Sequence, residues 1–338
     1  MKFGICADFR NPVKWHRSAP KLYKSIINQI VLAEDLGFEN CWLTEHHFTE
    51  DGYNPSLLAA ASAIASRTKT IRIGSFILLL PFIPPIRAAE DISFVDILSN
   101  GRFDLGVGQG YSFPEFNSFC INRSERGARY RENIALIKKL FTEDLVTYEG
   151  KFSNIKDVRL SPKPVQKPYP PIWVGARGPK AIKRAAEDGY NLIATFGKDP
   201  APLYIETLKN CGRNPKDFRI GQLRMVYIAD DEDRAWKEVQ EHMFHAIDFY
   251  TDIVTDALDA EGDENYKLVS KPEEIRDSAL KDVVMVGSPS VVQKKMQHFA
   301  DNFDCTDLVV YMQFPGLDVE KANYSMELFA KHIMPMFR

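Results

Sequence analysis

Short apolar runs alternate along the chain with longer stretches in which apolar residues recur at helical spacing, the pattern of strand and helix taken in turn. Residues 2–7 read as a first buried strand. Residues 20–36 carry Leu22, Ile26, Ile30 and Ala33 one turn apart until Gly37 stops the helix. The run over 39–48 is apolar at Cys41-Trp42-Leu43 and then abruptly polar at Thr44-Glu45-His46-His47. A second helix, 55–66, is dense in small residues (Ala59, Ala60, Ala61, Ser62, Ala63, Ala65), which permits close packing against another helix or a second subunit. Residues 70–80 form a third strand, which Pro81, Pro84 and Pro85 end. A helix over 86–98 leads through Asn100-Gly101 to a fourth strand at 102–107.

The alternation continues with a helix at 124–141 and then residues 145–160, which read as an inserted hairpin. Strand five is 172–176, followed by a helix at 181–187; strand six is 192–195 and strand seven 220–228, each leading into helical pattern. Between about 246 and 282 the apolar period weakens and acidic residues gather, the mark of an insertion; with Phe249, Tyr250 and Tyr266 it is expected to close over the site. A helix at 289–303, a strand at 307–312 and a last helix at 319–334 make eight repeats. Eight alternations with no antiparallel edge predict an α/β fold of the (β/α)8 TIM-barrel type, one domain over 1–338 with insertions after strands four and seven.

Composition narrows the partners. The 338 residues carry 43 basic and 46 acidic side chains, a formal net charge of -3, so no electrostatic case exists for nucleic acid or an anionic membrane. Five scattered cysteines (Cys6, Cys41, Cys120, Cys211, Cys305) without a CxxC pair support neither a disulfide framework nor a structural zinc site. No apolar stretch reaches membrane-spanning length, and Lys2, Asp8 and Arg10 interrupt what a signal peptide would need. The expectation is a soluble cytoplasmic protein with a small-molecule ligand.

In a barrel, chemistry sits where strands leave the sheet at their C-terminal ends. Glu45 and His46 mark such a place. Because neighbours on a strand face opposite ways, both point at the mouth only if the strand has already curled into the loop. One of His46 and His47 is therefore expected to reach a ligand. His46 is either a proton-handling group, since imidazole titrates near neutrality, or a residue that only orients the loop. A metal would need a third ligand that is not apparent. Gly106-Val107-Gly108-Gln109-Gly110 does not fit a dinucleotide fingerprint: the third glycine comes too early and Tyr111 to Phe116 do not read as a helix start. Its glycines are expected to admit a flat ring or a phosphate. Arg177-Gly178-Pro179 is either an anion site at a helix start or an ordinary turn. Arg87, Glu90, Asp96 and Arg102 read as structural ion pairing.

Several of these segments together resemble the bacterial luciferase-like flavin-dependent monooxygenases. The likeness is carried by Met1-Lys2-Phe3-Gly4, Gly37-Phe38, Trp42-Leu43-Thr44-Glu45-His46-His47-Phe48, Pro85, Arg87, Ala89-Glu90-Asp91, Asp96, Ser99 and Gly101-Arg102-Phe103, and resumes at Val286-Gly287-Ser288-Pro289 and Met334-Pro335-Met336. The resemblance implies a TIM barrel, usually dimeric through its second and third helices. It also implies reduced FMN delivered by a separate flavin reductase, O2 as co-substrate, a C4a-peroxyflavin and oxygenation of a small organic substrate.

By the same resemblance His46 is the catalytic histidine and Glu45 lies beside the flavin. The ring would rest on Phe76-Ile77, across a cis peptide bond, with Gly108 and Tyr111 completing the pocket. The phosphate would lie near Gln109 and Ala176-Arg177-Gly178. Luciferases carry arginine at the position of Gln109 and serine at that of Gly178, and Arg177 would supply the missing charge. The family also implies two rivals: an F420-dependent oxidoreductase that transfers hydride without O2, and a noncatalytic partner subunit, against which the retained His46 argues.

Overall fold

The computed structural model describes residues 1–176, 178–195, 199–257, 269–278, 280 and 283–338. In chain order the elements are β1 (Lys2–Ala7), α1 (Ala19–Asp35), β2 (Asn40–Leu43), α2 (Leu57–Ala65), β3 (Arg72–Ser75), β4 (Leu78–Leu79), α3 (Pro85–Leu98), β5 (Phe103–Gly108), α4 (Phe113–Ser118) and α5 (Arg126–Thr142). There follow β6 (Val146–Glu149), β7 (Asn154–Val158), β8 (Ile172–Gly175), α6 (Pro179–Asp188), β9 (Asn191–Ala194), α7 (Ala201–Asn210), β10 (Ile220–Ile228) and α8 (Glu232–Ala257). The chain ends with β11 (Val284–Gly287), α9 (Pro289–Asn302), β12 (Asp307–Tyr311), α10 (Val319–His332) and α11 (Met334–Phe337).

Parallel pairing runs β1-β2-β3-β5-β8-β9-β10-β12 and returns to β1, so the eight predicted strands close into a (β/α)8 barrel. Closure removes both sheet edges, and each strand must then be apolar on both faces. Along β1 and β2 the faces separate cleanly. Phe3, Ile5, Cys41 and Leu43 pack outward into the layer between barrel and helices. Cys6 and Trp42 point inward, with Trp173, Met225, Tyr227 and Tyr311. Trp42 and Trp173 meet edge to face inside the barrel at 5.0 Å, filling it as side-chain layers do.

Three features depart from the sequence pattern. The predicted strand 70–80 is broken: β3 and β4 both pair with β5, and the Phe76-Ile77 peptide bond between them is cis. A ninth parallel strand, β11, pairs with Met225 to Ile228 at the end of β10; at nine residues β10 is long enough to serve β9 and β12 lower down and β11 above. Residues 246–257, where an insertion is expected to begin, instead continue helix α8. Of the rest of that insertion, 272–277 form a 3-10 turn, and Tyr266 lies outside the described residues. The expected hairpin at 145–160 is present as the antiparallel pair β6–β7.

The charged series around α3 is structural, though only partly by ion pairing. Arg87 bridges to Asp91 at 2.6 Å within the helix. Asp96 instead accepts from the Gln166 backbone and amide at 3.0 and 2.7 Å, and Arg102 donates to the carbonyls of Ala65, Thr68, Ile71 and Ser99 near the ends of α2 and α3. Helix ends leave such carbonyls without partners, and Arg102 supplies them. No helix among the described residues is long and apolar enough to cross a membrane.

Candidate active site

β2 ends at Leu43, so Glu45, His46 and His47 already belong to the loop, and strand alternation no longer dictates where they point. The loop is folded back on the strand end: Asn54 donates to the Thr44 carbonyl at 3.0 Å, and the His46 N–H to the Asn54 carbonyl at 3.3 Å. This turn sends the two histidines to different surroundings.

His47 pairs through Nε2 with Glu45 Oε1 at 2.9 Å and sits edge-on to Phe82 and Phe119, with Phe48 close by. Glu45 Oε2 also accepts the Leu79 N–H at 3.3 Å, which ties the loop to β4. Burial pushes the Glu45 carboxyl above the ordinary carboxylate range against the opposing pull of His47. His47 and Glu45 therefore brace the loop.

His46 is buried among Tyr53, Tyr111, Phe249 and Tyr250, with ring centroids 4.8–6.1 Å away. Its Nδ1 lies 2.9 Å from Glu115 Oε1. The same oxygen accepts the His47 backbone N–H at 2.9 Å, so it acts as an acceptor and Nδ1 carries the proton. That leaves Nε2 as the lone-pair nitrogen, 3.3 Å from the Tyr111 hydroxyl. A buried carboxylate that fixes a histidine tautomer and leaves the Nε2 lone pair towards a tyrosine hydroxyl at the strand ends is an arrangement for moving one proton. Glu115 stands on α4, which begins with Pro114 in its first turn. The residues after the glycine-rich stretch therefore do open a helix, and it is this helix that delivers Glu115.

Phe249 and Tyr250, from the part of the sequence expected to cover the site, do lie over His46. The Tyr250 and Tyr53 hydroxyls meet at 2.5 Å, so α8 is latched to the loop after β2.

The remaining candidates meet on neighbouring strand ends. Leu78 and Leu79 pair with Val107 and Gly108, and Val107 pairs with Val174, so Gly108 sits between Leu79 and Gly175, Gln109 comes next to Ala176, and the Ile77 side chain reaches across both glycines. A Cβ at Gly108 would lie 1.8 Å from Ile77 Cδ1, and one at Gly175 would lie 2.9 Å from Ile77 Cγ2. A Cβ at Gly106 would meet the Ser75 carbonyl oxygen at 1.8 Å. These glycines thus yield first to the neighbouring strand, and only through Ile77 to a ligand.

Phe76 and Ile77 pack on the barrel interior. Gln109 and Arg131 flank Gly127 of α5: a Cβ there would lie 3.2 Å from Gln109 Oε1 and 3.5 Å from Arg131 Nη1. Gly178 caps α6, and nothing stands within 4 Å of where its Cβ would be. Arg177 lies outside the described residues. Sequence reasoning missed Tyr53, which lies on the same loop as His46, and Glu115, which the barrel brings in from 69 residues away; it also missed Arg131, which stands beside Gln109 at Gly127. Among the described residues no group of three or more His, Cys, Asp or Glu side chains could hold a metal ion.

A sequence model of the luciferase-like monooxygenase family matches residues 1–303. The chain belongs to that family. Among luciferase-like relatives, the flavin-dependent trigonelline monooxygenase, oxygenase component, of Acinetobacter baylyi is 30% identical over 244 residues, 70% of this chain and 67% of the relative. The F420-dependent glucose-6-phosphate dehydrogenase of Amycolatopsis mediterranei is 34% identical over 199 residues, 55% of this chain and 57% of the relative. The chain thus spans between 57% and 67% of the length of these curated relatives, 64% for a third. The crystal structure of monooxygenase RslO1 from Streptomyces bottropensis covers 100% of both chains with a TM-score of 0.88 at 24% identity, a likeness of fold. The luciferase-like family holds both flavin monooxygenases and F420-dependent enzymes.

Proposed function

We propose that this protein is the oxygenase component of a two-component monooxygenase that takes reduced FMN from a separate reductase and oxygenates a small organic substrate with O2. The observation that carries the reading is the Glu115–His46–Tyr111 chain, 2.9 Å on one side of the imidazole and 3.3 Å on the other, at the mouth of a barrel of this family. The 30% identity to a flavin-dependent oxygenase component over 70% of the chain supports FMN. A specific observation favours the second reading, F420-dependent hydride transfer: the 34% identity to an F420-dependent dehydrogenase, over a shorter 55% of the chain.

The residues present suit a flavin. The Phe76-Ile77 step, with Gly108 and Gly175 against Ile77, offers a flat apolar seat. Glu45 and Tyr111 border it through their contacts to Leu79 and His46. The phosphate end would be held by Gln109, by Ala176 to Gly178 and by the N-terminal end of α6, with positive charge from Arg177 and from Arg131. When bound, reduced FMN supplies two electrons, so that one atom of O2 enters the substrate and the other leaves as water. His46 Nε2 accepts or returns the proton this chemistry needs, and Glu115 holds its ring in the one useful tautomer. Phe249, Tyr250 and Tyr53 keep water from the reacting centre. The protein acts as a homodimer through α2 and α3.

His46→Ala is the test. The variant is expected to fold and to bind FMN, with turnover reduced by about 10²- to 10⁴-fold, the usual worth of a positioned acid or base. Full turnover in a folded, flavin-binding variant would reduce His46 to a loop-orienting residue.

A further inference from the structure

The two residues that follow β1 on its inner face, Asp8 and Arg10, stand over the barrel beside the site just described. Asp8 accepts from the Tyr311 hydroxyl and from the Arg10 backbone N–H at 3.3 Å. The Arg10 side chain is 1% exposed, and its Nε donates to Asp51 Oδ2 at 2.5 Å. Its guanidinium lies 4.2 Å from the Phe249 ring and 5.4 Å from that of Tyr53. Both terminal nitrogens, Nη1 and Nη2, are buried and have no hydrogen-bond partner among the described residues. Leaving donors of a charged group unpaired in the interior is costly, and folded proteins tolerate few such groups. Arg10 thus presents two buried, unpaired donors side by side. The two rings against it, Tyr53 and Phe249, are the rings that press on His46, at 4.8 and 5.7 Å.

We propose that Arg10 is the anchor for a carboxylate on the organic substrate, gripped by Nη1 and Nη2 while the body of the substrate extends past Tyr53 and Phe249 towards His46. The inference rests on the oxygenase reading for the rest of the pocket. A carboxylate matches the guanidinium fork with two parallel hydrogen bonds. The surrounding charge selects it over a phosphate. Burial pulls the Asp51 carboxyl up, but the proximity of His245 and the charge and hydrogen bond of Arg10 outweigh this and hold it below its ordinary value, so Asp51 stands as an anion. Asp8 is beside it. A second anion in this setting is tolerable with one negative charge and costly with two.

The test uses the full chain and three small probes, benzoate, benzamide and phenyl phosphate, titrated calorimetrically into the wild type, Arg10→Gln and Arg10→Lys, each with and without FMN. Benzoate is expected to bind the wild type at least about tenfold more tightly than benzamide, the worth of one charge-assisted hydrogen bond. Arg10→Gln is expected to erase that preference without altering FMN affinity. Arg10→Lys, which keeps the charge and loses the fork, retains part of it and serves as the reading variant if Arg10→Gln does not fold. Equal binding of benzoate and benzamide, or a preference that survives in Arg10→Gln, overturns the assignment. Tighter binding of phenyl phosphate overturns the choice of a monoanion. If FMN does not bind while the benzoate preference depends on Arg10, the flavin reading fails and the carboxylate anchor stands.

Discussion

His46 is held at both edges of its ring, by Glu115 through Nδ1 and by the Tyr111 hydroxyl beside Nε2. Glu115 is buried, and its Oε1 engages His46 Nδ1 and the His47 backbone N–H, so its proposed part is to position His46. Replacing it by glutamine keeps an oxygen near Nδ1 and removes the charge. One charge-assisted hydrogen bond is worth about 1.5–3 kcal/mol, so Glu115→Gln is expected to lower turnover about ten- to a hundredfold with FMN affinity unchanged. In the His46→Ala background the same substitution should change turnover no further, because the two residues act as one unit. Additive losses in the double variant would assign Glu115 a separate role. At this scale the sequence was half legible. Glu45-His46-His47-Phe48 announced itself as a polar strand end, and the split between the two histidines was expected. Glu115 was not legible: 69 residues separate it from His46, and only closure of the barrel brings their loops together.

The elements around the proposed flavin seat are shaped by what glycine leaves out. At Gly106 an added Cβ would collide with the Ser75 carbonyl, a backbone atom held by the Ser75 hydroxyl's own bonds to Gly106 at 2.7 and 2.8 Å. At Gly108 it would meet the far end of the Ile77 side chain, which can rotate away. Gly106→Ala is therefore expected to cost about 3 kcal/mol or more of stability by overpacking. Gly108→Ala should cost about 1 kcal/mol, the price of one displaced rotamer, and should weaken FMN binding through Ile77. Chemical denaturation and FMN titration of the two variants check this order, and the reverse order contradicts it. The sequence pattern read 70–80 as one strand because its apolar run has no break, and the cis step at Phe76-Ile77 entered only by resemblance. α4 was missed because six residues are too few to display a period, and the reach of α8 was missed because acidic residues blur its apolar stripe.

At the scale of the whole molecule the fold was the most legible feature, since each of the eight strand–helix repeats carries its own apolar signature. β11 escaped because Val284–Gly287 lies at the end of the acidic segment and pairs only with the upper part of β10. The proposed dimer has a visible basis: Phe94, Ile97 and Leu98 are exposed three and four residues apart on α3, an apolar face that a second copy would cover. Phe94→Glu is expected to weaken the dimer by about 2 kcal/mol or more, roughly thirtyfold in dissociation constant, as light scattering across a dilution series would show; an unchanged dimer would move the interface elsewhere. The choice of cofactor governs everything said of the chemistry. It is tested most directly by titrating the protein without oxygen against reduced FMN and reduced F420 in parallel, and then admitting O2. An FMN monooxygenase binds reduced FMN one to one, leaves F420 free, and alters the rate at which the bound flavin is reoxidised relative to flavin in solution. Binding of F420 with no binding of reduced FMN would contradict the oxygenase reading outright.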